Sequence, residues 1–245
     1  MFPIRDHNPS GRVPYVTYGL IAVNILVFLG YWLTIRDVDS LNQFFFDWGL
    51  VPAKIMAGQG YSGLVTHMFL HGGWMHIGGN LLFLWIFGDN LEDVMGHLGY
   101  LVFYLACGFG AAALQIAGDP YSMGPMVGAS GAIAGVLGGY LLLFPRARVD
   151  VLFIFVIFFK VFSIAAWIVL GLWFVVQFYN GVTATADGVA YLAHIGGYIA
   201  GLLLTIPVFL QRGGRAFWVQ NAGHPPHAAA EYRVSPTNIP RVRRL

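Results

Sequence analysis

Val127-Gly128-Ala129-Ser130-Gly131-Ala132-Ile133-Ala134-Gly135 opens an apolar run that ends at Phe144, just before Pro145-Arg146. It reads as the start of a membrane-spanning helix over residues 128–144 with one serine near its first turn. A hydroxyl at a helix N-terminus lies beside free N–H groups and the positive end of the helix dipole, where developing negative charge is favoured. That is a good place for a nucleophile. Packing is the competing explanation, because Ser and Gly are common where transmembrane helices touch. Two other stretches bear on the choice: His76 with Asn80, and His194.

The chain of 245 residues is 58% hydrophobic and 10% charged. A soluble domain carries about 25% charged residues. Too few charges remain to cover a water-facing surface, so the composition indicates a polytopic membrane protein of one domain. Cys107 is the only cysteine, which excludes a disulfide framework and multi-cysteine zinc sites. Nothing points to nucleic acid as a partner; the solvent implied is the lipid bilayer.

Six apolar runs are long enough to span: residues 15–34, 75–93, 98–117, 128–144, 161–179 and 189–210. A crossing needs about 20 residues. The run from 151 to 179 is too long for one straight crossing and contains Lys160. It is therefore divided into an interfacial piece, 151–159, and a fifth span, with Lys160 snorkelling to the surface. Residues 1–14 form a polar N-terminal segment, 40–66 a surface loop with amphipathic pieces, and 211–245 a mobile tail.

Six spans place both termini on one side. That side would hold Arg5, Arg12, Arg146, Arg148, Lys160, Arg212, Arg215, Arg233, Arg241, Arg243 and Arg244, against Arg36 and Lys54 on the other. The asymmetry predicts cytoplasmic termini. Ser130, His76 and the start of the sixth span then lie toward the outer leaflet.

Ionisable side chains inside spans are costly and are functional candidates by default. His194 is followed by Gly197 and Gly201, and the fourth span carries Gly131, Gly135 and Gly139. Stripes without side chains let two helix backbones approach closely, which would bring His194 within reach of Ser130. A serine hydroxyl needs a base to become a nucleophile, and histidine serves as that base and later as the acid. His76 and Asn80 share a helix face at i, i+4 and could donate hydrogen bonds to an oxyanion. The backbone N–H of Ser130 would be a third donor. His67 and His71 are also i, i+4, so zinc is a rival explanation. No glutamate lies between histidines, and no aspartate flanks His194 closely. A Ser–His dyad is favoured over a triad or a metal site, with no metal.

These residues resemble a known family. The chain is similar to the rhomboid intramembrane serine proteases over roughly residues 40–205. The motifs are His67-x-x-x-His71-Gly72-Gly73-Trp74-x-His76-x-x-x-Asn80, Gly88-x-x-x-Glu92-x-x-x-Gly96, Gly128-Ala129-Ser130-Gly131 and Ala193-His194-x-x-Gly197-x-x-x-Gly201. The resemblance implies an all-α, rhomboid-like bundle of six transmembrane helices with a cavity open to the outer side, within a domain over residues 15–210. It implies Ser130 as nucleophile, His194 as general base, His76 and Asn80 as oxyanion donors, a structural Glu92, and the fifth span as a lateral gate. It implies no cofactor, single-span membrane-protein substrates and a bacterial inner-membrane location. Ser62-Gly63 stand where the family often has Trp-Arg. Ala134 stands where some members have an aromatic that stacks on the histidine, which leaves Tyr140 and Tyr198 as candidates for orienting His194. The alternative is a catalytically silent relative that binds client helices; such relatives usually lose the serine or histidine, and both are present here.

Overall fold

Backbone groups in hydrocarbon must be satisfied within their own segment, so apolar runs of this length become helices. A computed structural model describes residues 2–155, 158–183 and 188–230. In chain order it holds β1 (Phe2–Asp6), α1 (Tyr15–Thr34), α2 (Val38–Trp48), α3 (Pro52–Met56), α4 (Gly63–Thr66) and a 3₁₀ turn (His67–Phe69). Then come α5 (Trp74–Met95), α6 (His97–Gly118), α7 (Ser130–Leu143), β2 (Arg148–Phe155), β3 (Phe158–Ala165), α8 (Ala166–Val182), α9 (Tyr191–Gln211) and α10 (Arg215–Asn221). The fold is the expected helical bundle. Of these helices, α1, α6 and α9 are long and apolar enough to cross a membrane, and α7 and α8 are shorter apolar helices. The outward faces carry Leu26, Val102, Val175 and Leu203, all exposed. An apolar exterior of this kind is solvated by hydrocarbon, so the chain is an integral membrane protein.

At the centre is α7. It is apolar on every side, and all its residues from Gly131 to Tyr140 are buried, as expected of a core helix. Its partner α9 lies against it backbone to backbone. A Cβ at Gly197 would collide with the Gly131 carbonyl oxygen, and one at Gly201 with that of Gly135. The stripes read from the sequence are therefore the contact itself. On the other flank, α6 meets α9 where a Cβ at Gly196 would come within 2.6 Å of the Gly110 oxygen.

Glu92, 1% exposed, ties three helices together. It accepts hydrogen bonds from the backbone N–H groups of Val16 and Thr17 (both 2.8 Å), from the Thr17 hydroxyl (2.7 Å) and from His97 Nδ1 (2.6 Å). A carboxylate at the N-terminus of α1 satisfies free donors and faces the positive dipole end.

Three expectations are corrected. First, the fifth span does not begin at 161. Residues 158–165 are instead β3, which pairs antiparallel with β2, Lys160 opposite Phe153, and β1 adds to β2 in the order β1-β2-β3. The run is rich in Val, Ile and Phe, residues that suit strands as well as lipid-facing helices. Lys160 projects from β3 over the Phe162 ring, 4.9 Å from its centroid. Second, residues 2–6 are a strand rather than part of a plain polar segment. Third, the 211–245 tail is structured over much of its first part. Phe217 is buried, and Trp218 Nε1 donates to the Leu142 carbonyl at 3.0 Å. Residues 231–245 lie outside the described residues.

The strand β1 brings Asp6 into a buried cluster. Tyr140 Oη donates to Asp6 Oδ2 at 2.9 Å, and Asn90 Nδ2 at 3.1 Å. Burial pushes the Asp6 carboxyl up to about 6, against the opposing hydrogen bonds from Tyr140 and Asn8. An acid whose native pKa exceeds its unfolded value, about 4, binds its proton more tightly when folded. Its contribution to stability is full below about pH 4 and is lost as pH rises toward 6. Between pH 4 and 7 the melting temperature of the wild type in detergent should therefore fall relative to Asp6→Asn. A difference that stays constant across that range would refute the assignment.

Candidate active site

Three connections set the position of Ser130. Gly128 N–H donates to the His67 carbonyl at 2.9 Å, and Leu50 and Met126 exchange backbone hydrogen bonds at 2.9 and 2.8 Å. The loop before α7 is thus stitched to the segment before α5. Gly128 has φ +135°, and a Cβ there would also lie 2.8 Å from His76 Nε2, so only glycine fits. That segment is itself held without the Trp-Arg pair. Gly63 packs on the Gly49 backbone, Thr66 Oγ1 bonds the Trp48 carbonyl, and the Tyr31 hydroxyl clamps His71 by donating to its carbonyl (2.6 Å) and accepting from its N–H (2.9 Å).

Ser130 is the first residue of α7. Its Oγ lies 2.8 Å from His194 Nε2 on α9. The other imidazole nitrogen, Nδ1, lies 2.7 Å from Gln177 Oε1 on α8. Trp173, one turn earlier on α8, sets its ring 5.8 Å from that of His194, tilted by 36°, and stacks in turn on Tyr198. Orientation of His194 thus comes from Gln177 and Trp173. Tyr198 acts only through Trp173, and Tyr140 bonds Asp6 instead. Gln177 was missed at the sequence level, although a polar amide within the apolar run 161–179 was the available signal.

His76 accepts from Gly72 N–H at Nδ1 (3.3 Å), which leaves Nε2–H to face the Gly128–Ser130 turn. Asn80 is on the same face and lines the site, but its Nδ2 donates to the His76 carbonyl at 2.9 Å. His67 Nδ1 bonds the Gly63 carbonyl at 2.7 Å. His71 packs edge-on against His76 with centroids 5.1 Å apart. Among the described residues, no three His, Cys, Asp or Glu side chains are grouped to hold a metal ion.

Two cavities meet at the dyad. One, about 550 Å³, is lined by His76, Gly128, Ser130, Ala190 and His194. The other, about 250 Å³, runs between Phe83 of α5 and Trp173 of α8. The paired hydroxyl and imidazole are accessible from both.

A rhomboid-domain model matches residues 58–211. The chain belongs to the rhomboid family. It is similar to the mitochondrial rhomboid protein 1 of Saccharomyces cerevisiae, 30% identical over 207 residues, covering 77% of this chain and 51% of that protein. It is also similar to the rhomboid protease GluP of Bacillus subtilis, 34% identical over 128 residues, covering 52% of this chain and 24% of GluP. The human mitochondrial presenilin-associated rhomboid-like protein is 28% identical over 141 residues, 56% of this chain and 35% of its own. The rhomboid chain described here thus spans about half the length of its yeast relative and about a quarter of GluP.

Proposed function

We propose that this rhomboid is an intramembrane serine endopeptidase that hydrolyses peptide bonds in the spans of single-span membrane proteins. The observation that carries the reading is the 2.8 Å contact between Ser130 Oγ and His194 Nε2 where two cavities meet. His194 Nε2 takes the hydroxyl proton as Ser130 Oγ attacks the substrate carbonyl. The oxyanion faces the Ser130 N–H, free at the start of α7, and His76 Nε2–H. His194 then returns the proton to the leaving amine, and water hydrolyses the acyl-enzyme by the same route in reverse. A client-binding protein without catalysis would have no need of this contact.

Six spans with cytoplasmic termini in a bacterial inner membrane would set the dyad toward the outer leaflet. Over its 14 residues α7 rises only about 21 Å, against about 30 Å of hydrocarbon. Its start at Ser130 therefore lies below the surface. A substrate helix must unwind there to expose a carbonyl, passing between α5 and α8. Small or helix-breaking residues in the outer part of its span favour that step.

The test is labelling of the wild-type protein in detergent with a fluorophosphonate, followed by mass spectrometry of the peptide that contains Ser130. An adduct on Ser130 is expected; a protein that stays unlabelled, with intact membrane-helix substrates, would end the protease reading.

His76 and Asn80 separate quantitatively. His76→Ala removes a donor already aimed at the site and should lower kcat on the order of 100- to 1000-fold. The Asn80 amide is engaged with the His76 carbonyl, so Asn80→Ala should cost about 10-fold or less, below the range for a preset donor. Equal losses in a liposome cleavage assay would show that the amide swings into the cavity during reaction.

A further inference from the structure

We propose that Gln177 is the positioning residue of the dyad, fixing the tautomer and the ring plane of His194 so that Nε2 is the basic nitrogen facing Ser130. This rests on the serine-protease reading. An amide oxygen only accepts, so the 2.7 Å contact from Gln177 Oε1 requires the proton on His194 Nδ1. That leaves a lone pair on Nε2, 2.8 Å from Ser130 Oγ, where it accepts the hydroxyl hydrogen. The chain Gln177–His194–Ser130 thus has one direction, and that direction makes His194 a base. The reverse tautomer would place an N–H against the hydroxyl and leave no acceptor for its proton.

Burial sharpens the constraint. Gln177 is 8% exposed and follows eleven residues of α8, 166–176, that carry no charged, amide or hydroxyl side chain. A buried amide without partners is costly, and His194 supplies one. Trp173 lies one turn earlier on the same helix, its ring tilted by 36° against the imidazole, and limits rotation about χ2. Thus α8 grips the base twice, once by hydrogen bond and once by ring contact, while α7 supplies the nucleophile. The ionisable groups facing His194 are His76 from α5 and Tyr191 from its own helix, ring centroids 6.3 Å apart; α7 presents Ser130 and glycine, and α8 presents Gln177 and Trp173.

The arrangement has a consequence for charge. During attack His194 becomes an imidazolium whose Nδ1–H points at a neutral dipole. An amide stabilises that cation less than a carboxylate would. Gln177→Glu retains the acceptor and adds charge, whereas Gln177→Met retains length and apolar volume and removes the acceptor.

The experiment measures two rates in detergent across pH 5–9: fluorophosphonate labelling of Ser130, which is independent of substrate-helix binding, and kcat and KM for a membrane-helix substrate. Thermal unfolding of each variant serves as the folding control. Gln177→Met should label and turn over on the order of 10- to 100-fold more slowly, a range taken from the loss of the hydrogen-bond partner of a metal-ligating histidine, with KM unchanged. Gln177→Glu should retain turnover, with the acid limb of its profile moved to higher pH. A wild type that labels while Gln177→Met matches it would overturn the positioning role alone. Equal losses in both variants with an unshifted acid limb would reduce Gln177 to a structural contact and overturn it too. A wild type that never labels refutes the protease reading, and the inference with it.

Discussion

Ser130→Ala is expected to abolish peptide-bond cleavage while leaving the protein folded and inserted. The change removes one oxygen, whose described partner is His194 Nε2 at 2.8 Å. Alanine is the best helix former, and Ser130 is half-buried at the first position of α7, so stability should hardly change. Catalysis behaves otherwise. Without the nucleophile no acyl-enzyme forms, and losing a catalytic serine elsewhere costs on the order of 10⁶-fold in kcat. In liposomes with a labelled single-span substrate, product should fall to the background of protein-free vesicles. Cleavage above that background by purified Ser130→Ala, with an unchanged melting temperature, would exclude the dyad. His194→Ala should give a comparable loss, because the two groups act as a unit and their effects do not add.

Gly197→Ala is expected to inactivate by geometry. Gly197 lies three residues past His194, and its new Cβ would land on the carbonyl of Gly131, next in sequence to Ser130. Backbone cannot rotate out of the way as a long side chain can, so α7 and α9 must part. Overpacking of this kind costs about 1–3 kcal/mol, and a displacement of about 1 Å at the reacting atoms costs on the order of 100-fold in rate. The melting temperature should drop by about 2–12 °C, given roughly 2–4 °C per kcal/mol in a protein of this size. Gly201→Ala meets the Gly135 carbonyl and should lose stability similarly. Gly171→Ala is the control: a Cβ there has nothing within 4 Å, and helix propensity favours alanine. If Gly197→Ala kept both its melting temperature and its cleavage rate, the two helices would not meet as described.

Part of this architecture was legible because hydrocarbon tolerates so little. The bounds read for the first span, 15–34, coincide with α1, and those of the second, third, fourth and sixth differ by one or two residues at each end. The glycines at 131, 135, 197 and 201 announced a backbone seam. His194 stood out as an ionisable group with no reason to lie in a span. The pairing of β2 with β3 was not legible, since a short apolar run reads alike as buried strand or helix. Neither was α10, whose seven residues carry too little periodicity to show.

The sequence by itself determined where α1, α5, α6, α7 and α9 run, to within two residues at each end, and which residues could react. Unpaired backbone and idle polar groups are too costly in lipid to leave much choice. Only the tertiary structure decided which polar groups meet. Glu92 reaches the amides of residues 75 and 76 positions away, His194 turns Nδ1 to Gln177 rather than to a tyrosine, and the Asn80 amide folds back on its own helix while His76 faces the site. Those pairings depend on the rotation of each helix about its axis and on separations of a few tenths of an ångström. Both are set jointly by all the packed neighbours, and no local stretch of chain encodes them.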